Sequence, residues 1–192
     1  QYVASGPALT MFKIISLLLV AVAFLLAVQG TPTDAPRSTG QYVASGATDS
    51  YWNVAYTGSS SKAVIMQDKM SLWPKFSSFA SWVQPAIPAS GAYAAGNYTF
   101  TTAFDLKNYN PATYILNANI AADDAVVSIQ VNGKAVTLAK PCSSSGYEAT
   151  CTVAYKFSGN FIAGTNKIDI VVNNVGDSNS QNPAGLWVEF GI

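Results

Sequence analysis

The chain has no histidine. That removes the Ser-His-Asp and Cys-His schemes of nucleophilic catalysis and every metal site that relies on imidazole. Charge is scarce too: charged residues make up 10% of the chain, with a formal net charge of zero, against roughly 25% in ordinary globular proteins. With no basic patch, nucleic acid is not an expected partner. With no polybasic run, neither is an anionic lipid surface. Gly-rich phosphate-binding loops are absent. Cysteine is limited to Cys142 and Cys151, which lack the C-x-x-C spacing of a redox or zinc pair. The apolar run from Ile14 to Val28 is shorter than the roughly 20 residues needed to span a bilayer.

What is present points outside the cell. Met11 and Lys13 lead into that apolar run, and Val28-Gln29-Gly30 ends it with small residues. Residues 11–30 therefore read as a secretory signal peptide, giving a secreted, extracellular protein with no membrane in its mature form. A membrane anchor is the alternative. Residues 1–10 precede Met11, and their QYVASG recurs at Gln41–Gly46. They are expected to be an artefact that copies an internal segment, and the copy points to a mature start near Gln41. Residues 31–46 are rich in Pro, Thr, Ser and Gly and read as a linker or pro-segment. Residues 47–192 have the length of one domain. In an exported chain Cys142 and Cys151 are expected to form a disulfide, worth about 2.5 kcal/mol in the chain-entropy model. Asn97-Tyr98-Thr99 is an N-glycosylation sequon, which makes Asn97 a candidate surface position at a strand start.

The strongest pattern lies between Gly96 and Gly133. Tyr98, Phe100, Thr102, Phe104 and Leu106 alternate along one run. Tyr114, Leu116, Ala118 and Ile120 follow, then Val127, Ile129 and Val131. A period of two marks a strand with one buried face. Further strands are expected at Ser50–Tyr56, Ala63–Met66, Tyr147–Phe157, Lys167–Val172 and Ala184–Ile192, with a turn at Gly58–Lys62. Asn132-Gly133 before Ala135–Leu138 is the clearest hairpin signal, because both turn positions favour positive φ. Asp68–Pro88 has three prolines and four Trp or Phe residues without a steady period. It reads as a long ordered loop across one end of the fold, and such loops are uncommon unless functional. The fold class is all-β: an antiparallel β-sandwich of about eight to nine strands.

A family resemblance rests on pieces that keep their order. They are Trp82-x-x-Pro85, Gly96-x-Tyr98-x-Phe100, Phe104-Asp105-Leu106, Ala122-Asp123-Asp124 and Val131-Asn132-Gly133. Phe161-x-Ala163-Gly164-Thr165-Asn166-x-Ile168-Asp169, Asn173-Asn174 and Pro183-Ala184-Gly185-Leu186-x-Val188 complete the set. Over roughly Trp82 to Ile192 the chain resembles the galactose-binding-like, carbohydrate-binding-module-like jelly-roll domains of exported proteins. The resemblance implies a jelly roll that binds carbohydrate through loops at one end, often with a structural calcium, and no catalysis. The chain departs from it at Asp123-Asp124, where such domains often show Asp-Asn.

The residues carry the chemistry as follows. Glycoside hydrolysis needs two carboxylates facing one cleft, and the one adjacent pair, Asp123-Asp124, should point to opposite faces of a strand. That pair suits the hard oxygen ligation of calcium, so Asp123 and Asp124 are candidate metal ligands, though no cofactor is required. Capping of the turn is the simpler reading of each. A sugar ring needs a flat aromatic for its apolar face and amides or carboxylates for its hydroxyls. Trp52, Trp73, Trp82 and Trp187 are the candidate platforms, with core packing as the alternative. Trp187 has the opposite parity to Leu186 and Val188, so it should point away from the main core. Trp73 should be the most exposed. Asp123, Asp124, Asn132, Asn173, Asn174 and Asp177 sit in turns that could converge at one end. Thr99, Thr101, Asn117, Asn119, Ser128, Gln130, Thr150 and Thr152 form an uncharged polar sheet face, suited to solvent, to a neutral glycan or to a copy of the chain. The expected function is a secreted non-catalytic lectin-like module with a neutral glycan or polysaccharide as partner. A self-associating protein of an extracellular coat, matrix or fibre is the alternative.

Overall fold

A computed structural model describes residues 35–56, 59–65, 73–86, 93–139, 152–176 and 183–191. They form ten strands: β1 Thr48–Tyr56, β2 Ser59–Ile65, β3 Val83–Gln84, β4 Gly96–Asp105 and β5 Leu116–Asp123; then β6 Ala125–Val131, β7 Lys134–Ala135, β8 Val153–Phe157, β9 Thr165–Asn174 and β10 Gly185–Gly191. Every pairing is antiparallel, in the order β7-β6-β9-β4-β1-β2-β3-β10-β5-β8. The sheet curls so that β5 lies across the core from β9 and β6. The result is a sandwich with β6-β9-β4-β1 as one layer and β10-β5-β8 as the other. Among the described residues there is no helix, and so none long and apolar enough to cross a membrane. The count exceeds the expected eight to nine by β3, a two-residue bridge that leaves no periodic signal, while β7 is the short second arm of the expected hairpin.

The alternation places the core. Tyr98, Phe100, Thr102 and Phe104 of β4 are buried, as are Ile168, Ile170 and Val172 of β9 and Leu186, Val188 and Phe190 of β10. Burying each Ile, Leu or Phe contributes about 1.5–3 kcal/mol. The hairpin between β6 and β7 is as expected, with φ of 52° at Asn132 and 76° at Gly133. Three expectations need correction. Val127 is exposed, because a bulge between Val126 and Ser128 reverses the parity and sends Val126 inward instead. Ser59–Lys62 is strand, not turn, since β1 pairs along it. Residues 35–46 are no linker. Ser38 and Thr39 are buried, Thr39 N–H donates to the Val188 carbonyl (3.0 Å), and the N–H groups of Val188 and Phe190 donate to the hydroxyls of Thr39 (2.9 Å) and Ser38 (3.0 Å). The segment satisfies the edge of β10 that the short β3 leaves open. The signal-peptide stretch, residues 1–10 and 31–34, Cys142, Cys151, Thr150 and Asp177 lie outside the described residues.

Residues 73–86 follow the outside of the second layer rather than one end. Trp73, Ala80, Trp82 and Phe76 pack with Trp187 of β10 and Ala121 of β5. Trp187 thus faces away from the main core, as its parity requires, and a strap of chain covers it. The Trp82 indole N–H donates to the Pro74 carbonyl (3.0 Å), and Ser81 N–H to the Thr39 carbonyl (2.8 Å). Gly185 lies beneath Trp73, where a Cβ would come within 2.2 Å of the indole ring.

Candidate functional site

None of the four tryptophans offers a ring face to solvent. Trp52 is fully buried and stacks on Phe190 at 6.3 Å, while Trp73, Trp82 and Trp187 are buried in the strap cluster. Trp73, the one expected to be most open, is only 7% exposed. Parity tells which face a ring is on but not what lies over that face. Asn132 is at the opposite end of the sandwich from the other candidates. Its amide donates to the Asn160 carbonyl (2.9 Å) and Asn166 Oδ1 (2.8 Å), and its oxygen accepts the Lys167 N–H (2.9 Å), so it locks the β6–β7 turn to β9.

Asp123, Asp124, Asn173 and Asn174 do meet at one end, where β5 and β9 finish and β4 and β10 begin. Asp123 Oδ2 accepts the Trp73 indole N–H at 3.0 Å in a buried setting. Burial, reinforced by the neighbouring Asp124 carboxyl, pushes Asp123 up to about 7, against a smaller opposite pull from the Trp73 N–H. Asp124 Oδ2 accepts the Val175 N–H. Asn174 is buried and donates to the Ala94 carbonyl (3.1 Å), leaving Oδ1 without a partner. Asn97 is exposed at the start of β4, its oxygen accepting from Asn173 (2.9 Å). Stacked Tyr56 and Tyr98 (4.4 Å), with Tyr93 against Tyr98, close this end, and burial raises the Tyr93 and Tyr98 hydroxyls above the usual phenol range. The side chains here mostly face protein. They fit calcium poorly. One oxygen of each Asp is taken by an N–H, and the described residues hold no group of three His, Cys, Asp or Glu side chains, while calcium takes six to eight oxygens.

Exposed aromatic surface lies elsewhere. Tyr51 is the outward neighbour of Trp52 on β1 and is 42% exposed; Tyr42, in the segment before β1, is 83% exposed. Arg37, the chain's single arginine, places its guanidinium 4.3 Å from the Tyr51 ring centroid and 5.9 Å from that of Tyr42. Three hydrogen bonds, one of them fully buried, set this arrangement. Asp49 carries one carboxylate across both supports, accepting the N–H of Gly40 (2.8 Å) and of Tyr51 (2.8 Å). The Trp52 indole N–H holds the Arg37 carbonyl from below (3.0 Å). Tyr42 itself takes φ of 62°, a left-handed conformation uncommon for a bulky residue. Such strain persists only where surroundings enforce it. Each cation–π contact at an exposed site adds only about 0.5–1 kcal/mol, so stability alone gives little reason for the assembly.

Next to Tyr51 on the same face runs a polar shelf. Asn53, Thr101, Asp169 and Gln130 stand in register across β1, β4, β9 and β6, with Ala55, Thr99, Val171 and Ser128 in the next row. Thr101 donates to Asp169 Oδ1 (2.6 Å) and Lys167 pairs with Oδ2 (3.0 Å), so the shelf carries little net charge. The polar face expected as one surface is therefore two: Asn117 and Asn119 belong to β5, on the outside of the other layer. Composition and periodicity single out none of Tyr42, Tyr51 and Arg37. The available signal was the parity of Tyr51, opposite to buried Trp52, and Tyr42's place in the repeated hexapeptide.

No family model matches the chain, and no curated protein does. Among solved structures it is similar to a CBM35 from Paenibacillus barcinonensis, at 17% identity and a TM-score of 0.37, covering 83% of this chain and 98% of that one. It is also similar to a family 35 carbohydrate binding module from an environmental isolate, at 16% identity and a TM-score of 0.29, covering 79% and 87%. Likeness at this level says nothing about which surface of this chain binds what.

Proposed function

We propose that the protein is a secreted, non-catalytic carbohydrate-binding module, and that Tyr42, Tyr51 and Arg37 form its contact with a neutral glycan. The observation that carries this reading is the pair of exposed tyrosine rings braced by Arg37 over the buried Asp49 bridge, beside a shelf of hydroxyls and amides. Aromatic faces suit the apolar side of a sugar ring, and the shelf suits its hydroxyls. Binding without chemistry accords with a chain lacking histidine and with Asp49 and Asp169 already engaged by protein donors. Secretion rests on the pattern of residues 11–30, and glycosylation at Asn97 and a Cys142–Cys151 bridge belong to the same reading. No cation is required at the platform.

Native affinity electrophoresis through gels holding soluble galactan, xylan, mannan or mixed-linkage β-glucan tests this, with calcium and with a chelator. Retardation of the wild type in at least one gel, weakened about tenfold or more in Tyr51→Ala and Arg37→Ala proteins of unchanged melting temperature, is the expected result. No retardation in any gel under either condition overturns the reading. Retardation that both variants retain at wild-type strength moves the site away from the platform.

A further inference from the structure

The second layer has an outer surface of its own, divided in two. The strap covers its upper part, at Trp187 and Ala121. One row below, Glu189, Asn119 and Ala154 stand in register across β10, β5 and β8, and below them Gly191, Asn117 and Lys156. Asn117, Asn119, Ala154, Lys156 and Gly191 line a groove of about 240 Å³. Drug-sized ligands occupy pockets from about 300 Å³ upward, so this one is scaled to a small polar group such as a single sugar ring. Its floor is low because Ala154 and Gly191 carry almost no side chain. Two amides and one ammonium group supply its side-chain polar atoms, beside a larger apolar lining.

We infer that this groove holds a second stretch of the same uncharged polysaccharide, so that one molecule bridges two glycan chains. The inference rests on the carbohydrate reading given above and adds a second site to it. Asn117 and Asn119 are exposed, and among the described residues neither amide is engaged in a hydrogen bond with protein. Each amide offers two donors and an acceptor, the mixed pattern that vicinal hydroxyls complement and that a simple anion or cation does not. Lys156 and Glu189 balance in charge, which matches a neutral occupant. A second copy pairing along β8 is disfavoured by Lys156, since lysine on an edge strand discourages strand addition. The shelf beside Tyr51 and this groove lie on the outward sides of the two layers, whose sheets stand about 10 Å apart. Surfaces facing away from each other across a sandwich engage separate chains more readily than one.

Two readouts test this with whichever of galactan, xylan, mannan or β-glucan retards the wild type. Calorimetric titration with a hexasaccharide of that polymer should give two sugars per protein in the wild type. It should give one in Tyr51→Ala and one in the Asn117→Ala/Asn119→Ala double variant. Mixing protein with the polymer should raise its viscosity, and each variant should lose that effect while its retardation weakens roughly tenfold through lost avidity. One sugar per wild-type protein, or undiminished viscosity with the double variant, overturns the bridge and leaves the platform standing. A dimer by light scattering without sugar, unchanged in the double variant, assigns the viscosity to self-association and overturns it as well. Absence of all retardation overturns both proposals together.

Discussion

Two aromatic assemblies divide the labour of this molecule. In the strap cluster, Trp73 and Trp82 pack at 4.4 Å with Phe76 and Trp187, and the Trp73 and Trp82 N–H groups end on protein acceptors. In the platform, Tyr42 and Tyr51 are held by their backbones while their rings stay open. The larger, more apolar rings went inside, and the amphipathic ones stayed out. Whether an aromatic residue serves as mortar or as contact depends on what covers its face.

The strap cluster is most sensitive at Gly185. A Cβ there would meet Trp73 at 2.2 Å, so Gly185→Ala should push Trp73 off Asp123 and cost about 2–3 kcal/mol as overpacking, read as a lower urea midpoint. Platform binding should be unchanged in the folded fraction. If the variant is as stable as the wild type, the strap does not hold the fold. Next comes Asp49→Ala, which frees the buried Gly40 N–H and the half-buried Tyr51 N–H and should cost about 1–3 kcal/mol. Unlike Gly185→Ala, it should also weaken glycan retardation in the fraction that remains folded, because the supports of both tyrosines lose their common anchor.

Asp123 sharpens the contrast through pH. Its folded value, raised to about 7 from an ordinary 3.8, means the folded state binds that proton more tightly than the unfolded chain does. The stabilisation is complete below the unfolded value and is lost as pH rises through the folded one. Asp123→Asn should therefore gain stability relative to wild type as pH climbs from about 4 to about 7, with the difference level above. Thermal melts of the two proteins across that range provide the check, and parallel pH curves would contradict the buried-carboxyl account. The smallest stability effect belongs to Tyr42→Gly. Removing a side chain from a left-handed position should leave stability within about 0.5 kcal/mol, or slightly higher, while retardation in the polysaccharide gel falls.

The sequence reading succeeded where one rule decided the outcome. Alternation along β4, β9 and β10 placed Phe100, Ile170 and Val188 inside without further information, and Asn132-Gly133 announced its own turn. It failed where a second element intervened. Val127 needed knowledge of a bulge, which depends on how β6 and β9 pair rather than on β6 alone. Trp73 and Trp82 lie in a stretch with no period, so nothing local said they would lie over Trp187. Residues 35–46 look like a linker by composition, yet Ser and Thr are also the side chains that can complete a strand's hydrogen bonds. On β1 the aromatic that sequence offers as a platform, Trp52, is fully buried, and the neighbouring Tyr51 points the other way.

Ser38 and Thr39 clasp the final strand at Val188 and Phe190, and Arg37 sits one residue upstream. A protease cutting just before Gln41 would do more than trim a tail. It would unfasten the closing strand and take Arg37 away from Tyr42 and Tyr51 in a single hydrolytic event.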